Sequence, residues 1–448
     1  MKTPKQSARL QPIYFEPGRN DDFDVQLGKL ESLLADETVT FLPPLPLGAA
    51  ISDAEAVVFP QLLGEAYRRV SDFVEIDLPK LVLTSEFGTL SMWDWEIITY
   101  LKSEGVEGIV APYDPEQTRA VCRALTVRRE LGADDARFVV YQDDPGKGAQ
   151  ASIFKRFYWW EDECAQRLLE RFGIGIEKRS YKKLGTAAKA ITDAEADAAW
   201  ETCPAPTEGM SQAARRSALK LYLAVKGDIA NDTGVMGVGI NCLNESHFSD
   251  STPCLAWSLL YEESGMIWGC EADTVSMLSK LVLHRSLEAP ILMTNLYPFL
   301  LGDAALKHER IESFPEVEGD PGDYILVGHC GYMGVIPPSF ATEWTLRPKV
   351  LGIVDEDASA IDARIPLGPV TLAKLHPSMT QITVAEGELT GYAQNPGSDC
   401  LNGGVVRVRN GRKMMEKLSS HHYLLLTGHH MYRLASVAAV LGIEVTDI

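Results

Sequence analysis

The sequence is poor in the signals that identify the commonest functional classes. It holds eight cysteines (Cys122, Cys164, Cys203, Cys242, Cys254, Cys270, Cys330 and Cys400), but none forms a CxxC pair. A thiolate zinc site is therefore not expected, and buried free thiols are. Apolar runs are short and broken by charge, which leaves no candidate for a membrane-spanning helix. The opening Met1-Lys-Thr-Pro-Lys-Gln-Ser7 is polar and carries no apolar core, so the expectation is a cytoplasmic protein without a secretory leader or a membrane partner. Positive charge is scarce: 42 Lys and Arg against 62 Asp and Glu give a formal net charge of −20. Binding a phosphate backbone needs a concentrated basic surface, so nucleic acid is not an expected partner.

Catalytic and nucleotide motifs are missing too. The turn-rich Asp143-Asp-Pro-Gly-Lys-Gly148 lacks GxxxxGK[ST] spacing, and Gly237-Val-Gly239 lacks the third glycine of GxGxxG. No GxSxG elbow and no HExxH helix occurs. Ser419-Ser-His-His422 is a poor nucleophile pair, because neighbouring residues on a strand face opposite ways. There is no internal repeat and no low-complexity tract.

What is present is an ordinary globular composition, 46% hydrophobic, over 448 residues, a length that suits two or three domains. In the first third, short apolar runs at Val39-Thr-Phe-Leu42, Lys80–Thr84, Gly108–Pro112 and Arg137–Tyr141 read as buried strands. Helical stretches, Asp53 to Val70 and Pro115 to Glu130, lie between them. This alternation implies a parallel sheet covered by helices. The middle third continues with helices around Phe154 to Phe172, Asp193 to Trp200, Gln212 to Ala230 and Thr274 to His284, and a strand at Val235–Ile240. The last third changes character. Strand candidates at Tyr324–Val327, Val350–Val354, Pro369–Leu372, Gln381–Val384, Val405–Val408 and Tyr423–Leu426 are separated by Gly and Pro turns, which suits a small antiparallel barrel or sandwich. A helix at Met431–Leu441 and a strand at Ile443–Val445 follow. The expected division is an α/β domain over 1–147, a central α/β domain over 148–292 and a β-rich domain over 293–448.

Three polar residues sit at the edges of runs that should be buried: Glu271, His329 and His422. A buried carboxylate or imidazole without a partner costs several kcal/mol, so such groups usually have one. A shared divalent cation is a partner that could satisfy all three, and Glu and His suit manganese, zinc or iron. Taken singly, each also fits a blander role. Glu271 could cap the helix that follows or form a salt bridge, and His329 could be a hydrogen-bonded core histidine. Of His421 and His422, only one can face inward.

The motifs Pro253-Cys-Leu-Ala256, Glu262-Glu-Ser-Gly265, Gly269-Cys-Glu-Ala-Asp273, Gly328-His-Cys-Gly331 and Ser420-His-His422, in this order, resemble the L-fucose isomerase and L-arabinose isomerase superfamily. The resemblance runs from roughly residue 235 to 448, and the earlier residues share only an α/β character. It implies two Rossmann-like α/β domains followed by a β-rich C-terminal domain. It also implies a homo-oligomer, trimer or hexamer, acting on a small sugar with a divalent metal, commonly Mn2+ (Zn2+, Fe2+ or Mg2+ being alternatives). The family interconverts aldoses and ketoses, moving a proton between C1 and C2 through an enediol. On this resemblance Glu271 is a metal ligand and the acid/base carboxylate, and His329 and His422 are metal ligands.

The fourth ligand departs from the pattern. Where the family places an Asp or Glu, this chain has Asn295, or Thr294 if the register slips by one. An amide oxygen ligates more weakly than a carboxylate and cannot serve as a general base. Asp273, Asp303 and Glu309 are nearby in sequence and could compensate. A second expectation is therefore a protein that binds a sugar on the same fold without isomerase chemistry. Further pocket candidates are Glu86 and Trp93, after the strand at Leu81, together with Glu245, Tyr297 and Tyr332. Glu245 and the tryptophans have structural alternatives. The bland role of Glu245 is a hydrogen-bonded loop acid, and that of Trp93 and Trp95 is packing between domains.

Overall fold

The computed structural model describes residues 6–15, 19–84, 91–143, 162–298, 306–307, 311–313, 315–395, 398 and 402–448. Two parallel sheets and a closed antiparallel barrel make up the architecture. The first sheet runs in the order Val39–Phe41, Ala8–Tyr14, Ala56–Phe59, Lys80–Val82, Ile109–Val110, with every pairing parallel. Its central strand Ala56–Phe59 is buried on both faces. Val58 joins the main core, while Val57 and Phe59 join a smaller core beneath. Burial on both sides explains why the strand is a continuous apolar run.

The second sheet is also parallel, in the order Ile267–Cys270, Val235–Ile240, Arg137–Tyr141, Gly175–Arg179. The barrel has six strands. Around it run Ile291–Pro298, Tyr324–Gly328, Gly403–Val408, Gln381–Ala393, Gly368–Leu375 and His422–Thr427, and the last pairs back with the first. Glu444–Asp447 adds a parallel strand to Gln381–Ala393. Closure removes the exposed edges that an open antiparallel sheet would leave.

Three helices join these layers. Pro115–Leu131 starts with Asp114 capping and proline at the first turn, and it packs against both Thr274–Leu287 and Met431–Val440. Arg285 pairs with Glu130 at 2.6 Å across one of these contacts. One core cluster therefore reaches from Leu10 and Val58 through Phe138 and Val238 to Val370 and Leu425. Among the described residues no helix is long and apolar enough to cross a membrane.

Several expectations from sequence need correction. Asp53–Val70 is not one helix: it contains the strand Ala56–Phe59, a short 3-10 turn Gly64–Arg68 and the start of the helix Val70–Val74. Its apolar run is too short for a helix and is paired on both sides by strands. Val350–Val354 is a turn, not a strand. The strands lie on either side of it, as the hairpin Glu343–Pro348 with Ser359–Arg364. Arg137–Tyr141 pairs in the second sheet rather than with the earlier strands. Only Asp162–Phe172 of the helix expected from Phe154 lies within the described residues.

Candidate metal centre

Glu271 follows the strand Ile267–Cys270, at the carboxyl end of the second parallel sheet, where loops of such sheets commonly bind ligands. The chain turns sharply there. Glu271 and Ala272 both adopt left-handed backbone, with φ of 55° and 59°. Asp273 then caps the helix Thr274–Leu287, accepting from the Ser276 amide at 2.8 Å. Non-glycine residues in this region store strain of about 1–3 kcal/mol each, which a fold retains where the side chain must be aimed.

His329 is held by a second tight turn. Its amide donates to the Tyr332 carbonyl at 2.6 Å, and the Tyr332 amide donates back at 3.2 Å. Cys330 has a φ of 52° and Gly331 one of 84°. A Cβ at Gly331 would also come within 2.6 Å of the Val350 side chain, so only glycine fits there. His422 opens the barrel strand His422–Thr427.

Barrel register brings in the fourth position. Asn295 pairs directly with His422 on one side and with Gly328 on the other. Directly paired residues on neighbouring strands share a face, so Asn295 and His422 point the same way. Thr294 pairs instead with Tyr423, one position along, and so faces away from His422.

The side chains converge. Ligand-type atoms of Glu271, His329 and His422 all lie within 4.8 Å of one another, and all three residues are buried. Glu271 Oε1 is 3.2 Å from His329 Nε2 and 3.7 Å from His422 Nε2. Yet Glu271 Oε2, Asn295 Oδ1 and both ring nitrogens of His329 are buried and make no hydrogen bond. Buried polar atoms left over in this way need a further partner. Two imidazoles, a carboxylate and an amide oxygen are the donors a divalent cation takes, and the buried Glu271–His329–His422 group could hold one.

Electrostatics favour a charged carboxylate. Burial alone would raise the Glu271 pKa, but His329 and His422 outweigh it and hold the carboxyl well below its usual range. For His422, burial works to lower the pKa, but Asp273 and Glu271 raise it above the ordinary histidine value. Among the described residues no cysteine belongs to the converging group, and burial pushes the Cys242 and Cys270 thiols up.

The remaining candidates fall around this centre unevenly. Tyr297 shares a face with Asn295, and its hydroxyl accepts from Asn295 Nδ2 at 3.1 Å. Tyr332 is half-buried and acts on His329 through its backbone. Glu245 is 2% exposed, and its carboxylate accepts from the Asp143 amide at 2.9 and 3.1 Å and from Asn241 Nδ2 at 3.1 Å. It thereby ties together the loops that leave two neighbouring strands of the second sheet. Trp93 lies on the helix Met92–Ser103 of the first sheet and is 71% exposed, and Trp95 is 57% exposed, so both rings are largely exposed. Glu86, Asp303 and Glu309 lie outside the described residues.

Asp273 is not a member of the converging group. It stands behind it, with Oδ2 2.8 Å from His422 Nδ1. Sequence reasoning missed Lys374, whose ammonium reaches the same Oδ2 at 2.8 Å from 101 residues away. No local signal in the sequence marks that lysine. No family model matches the chain, and no curated protein matches it.

Proposed function

We propose that the chain is a metal-dependent carbohydrate enzyme that interconverts an aldose and a ketose through an enediol. The reading takes the two parallel sheets as Rossmann-like units, with the barrel closing a cleft over the carboxyl end of the second. It also takes the protein as a cytoplasmic homo-oligomer. The observation that carries it is the buried convergence of Glu271, His329 and His422, with Glu271 Oε2, Asn295 Oδ1 and the His329 ring nitrogens left without hydrogen bonds.

The residues divide the work as follows. His329, His422, Glu271 Oε1 and the weaker Asn295 Oδ1 would hold the cation. Bound there, it would supply positive charge for two adjacent sugar oxygens and for the negative charge that builds up on them. Glu271 Oε2, which is buried without a hydrogen bond, would take a proton from one carbon and return it to the next. Asn295 cannot accept that proton, so the transfer rests on one carboxylate. Two imidazoles with a single carboxylate suit manganese, iron or zinc better than magnesium, which prefers an all-oxygen shell.

The test combines metal analysis with a screen. The purified protein should carry a divalent metal that His329→Ala and His422→Ala lose. In a panel of free and phosphorylated aldoses and ketoses with manganese, one pair should interconvert, and EDTA should stop it. A second reading is favoured by Asn295 itself: a protein that binds a sugar without turning it over. Metal-free protein that binds a sugar equally well in EDTA would establish that reading and defeat the first.

A further inference from the structure

The strongest feature outside the converging group is the set of buried side chains behind His422. Asp273 Oδ2 contacts His422 Nδ1 at 2.8 Å, accepts from the Lys374 ammonium at 2.8 Å and accepts from the Ser276 hydroxyl at 2.7 Å. Its other oxygen accepts from the Ser276 amide at 2.8 Å. Lys374 also donates to Ser276 Oγ at 2.7 Å. Asp273, Lys374 and His422 are 0% exposed and Ser276 is 1% exposed. A carboxylate held by four such contacts, at the capping position of a helix, cannot rotate. The His422 amide is itself anchored, donating to Ser420 Oγ at 3.1 Å.

From this geometry we infer that Asp273 is a positioning residue, which fixes the tautomer and aim of His422 for metal binding. An ionised carboxylate only accepts hydrogen bonds, so Nδ1 of His422 must carry the hydrogen. The lone pair of the neutral ring then belongs to Nε2, the nitrogen that faces Glu271 Oε1 at 3.7 Å. The opposite tautomer would put a hydrogen where the cation belongs. A carboxylate behind a metal-binding histidine also makes the imidazole a better donor, and its loss typically weakens metal binding. Lys374 and Ser276 act one step further out. They hold Asp273 in place, and they join the barrel strand Gly368–Leu375 to the start of the helix Thr274–Leu287.

The inference rests on the metal reading of the site, and the experiment separates the two. Cobalt(II) serves as the probe, since its visible absorption reports ligand number and type. Asp273→Asn keeps a helix-capping oxygen and the shape of the residue but removes the charge. It should bind cobalt roughly 10–100-fold more weakly than wild type. Its residual complex should shift in absorption toward that of His422→Ala, while the metal-free variant keeps the wild-type circular dichroism. Asp273→Ser provides the second variant, because serine also caps helices but is too short to reach the imidazole. Wild-type affinity and spectrum in either folded variant would overturn the inference while leaving the metal reading standing. Wild-type protein that takes up no cobalt, manganese or zinc would overturn both.

Discussion

Lys280 gives a sharp test of how far the buried side of this molecule controls its chemistry. It lies within the helix Thr274–Leu287 and is 0% exposed. Its ammonium donates to the Trp268 carbonyl at 2.8 Å and sits 3.6 Å from the centre of the Trp268 ring. Among the described contacts it has no carboxylate at ion-pair distance. Burial lowers its pKa from 10.5 to about 7, against weaker opposing pulls from Cys270 and Asp273. In an unfolded chain the same lysine titrates near 10.5, so between the two values the unfolded state holds a proton that the folded state lacks. Stability therefore rises with pH across that window, and the penalty is complete below its lower end. At about 1.4 kcal/mol per pH unit the full penalty comes to roughly 5 kcal/mol. Lys280→Met keeps the length of the side chain and removes the penalty. It also strips the Trp268 carbonyl of its donor, at a cost of about 1–3 kcal/mol that does not depend on pH. The variant should thus be more stable than wild type by roughly 2–4 kcal/mol near pH 6, and the advantage should shrink and reverse as pH approaches about 10. Urea unfolding of both proteins at the two pH values, compared through midpoint and slope, measures this. A difference between them that stays constant with pH would refute the reasoning.

Other expectations follow from the same contacts. Lys374→Met leaves the Asp273 charge buried with its main cationic partner gone and should cost about 3–5 kcal/mol in urea unfolding. Adding Asp273→Leu to it should recover a large part of that loss, and simple additivity of the two changes would count against a coupled pair. Asn295→Asp adds a negative charge to the proposed ion shell and should raise manganese affinity at least tenfold by titration calorimetry, about 1.4 kcal/mol. An unchanged constant would place residue 295 outside the shell. Excess zinc or manganese at about 100 times its dissociation constant should stabilise the wild-type chain by roughly 2.7 kcal/mol and leave His329→Ala unaffected.

Much of the fold can be read from apolar runs that serve one purpose. Val235–Ile240 and Arg137–Tyr141 are buried on both faces and bounded by turns, so their extents follow from composition alone. Asp53–Val70 misleads because its apolar residues serve two elements. Ala56–Phe59 is a sheet strand, while Ala66 packs on the core below from the 3-10 turn Gly64–Arg68. The hairpin Glu343–Pro348 with Ser359–Arg364 escapes a reading based on apolar runs for the opposite reason. Its first strand mixes exposed, half-buried and buried residues, so it never forms a run.

The site divides along a different line. Glu271, His329 and His422 stand out because each is a polar residue placed where its neighbours are buried, and burial is a local property that sequence carries. What the chain cannot carry locally is the pairing of Asn295 with both His422 and Gly328, since that depends on the barrel closing in one register. A slip of one residue would have turned Thr294 toward His422 instead. The Asp273–Lys374 contact is further still from any local signal, because it links a helix start to a barrel strand 101 residues away. A buried lysine there gains nothing from its own strand and only makes sense once a carboxylate faces it. The first three side chains thus mark the centre in the sequence, whereas the parts that would aim and neutralise it exist only as products of the completed fold.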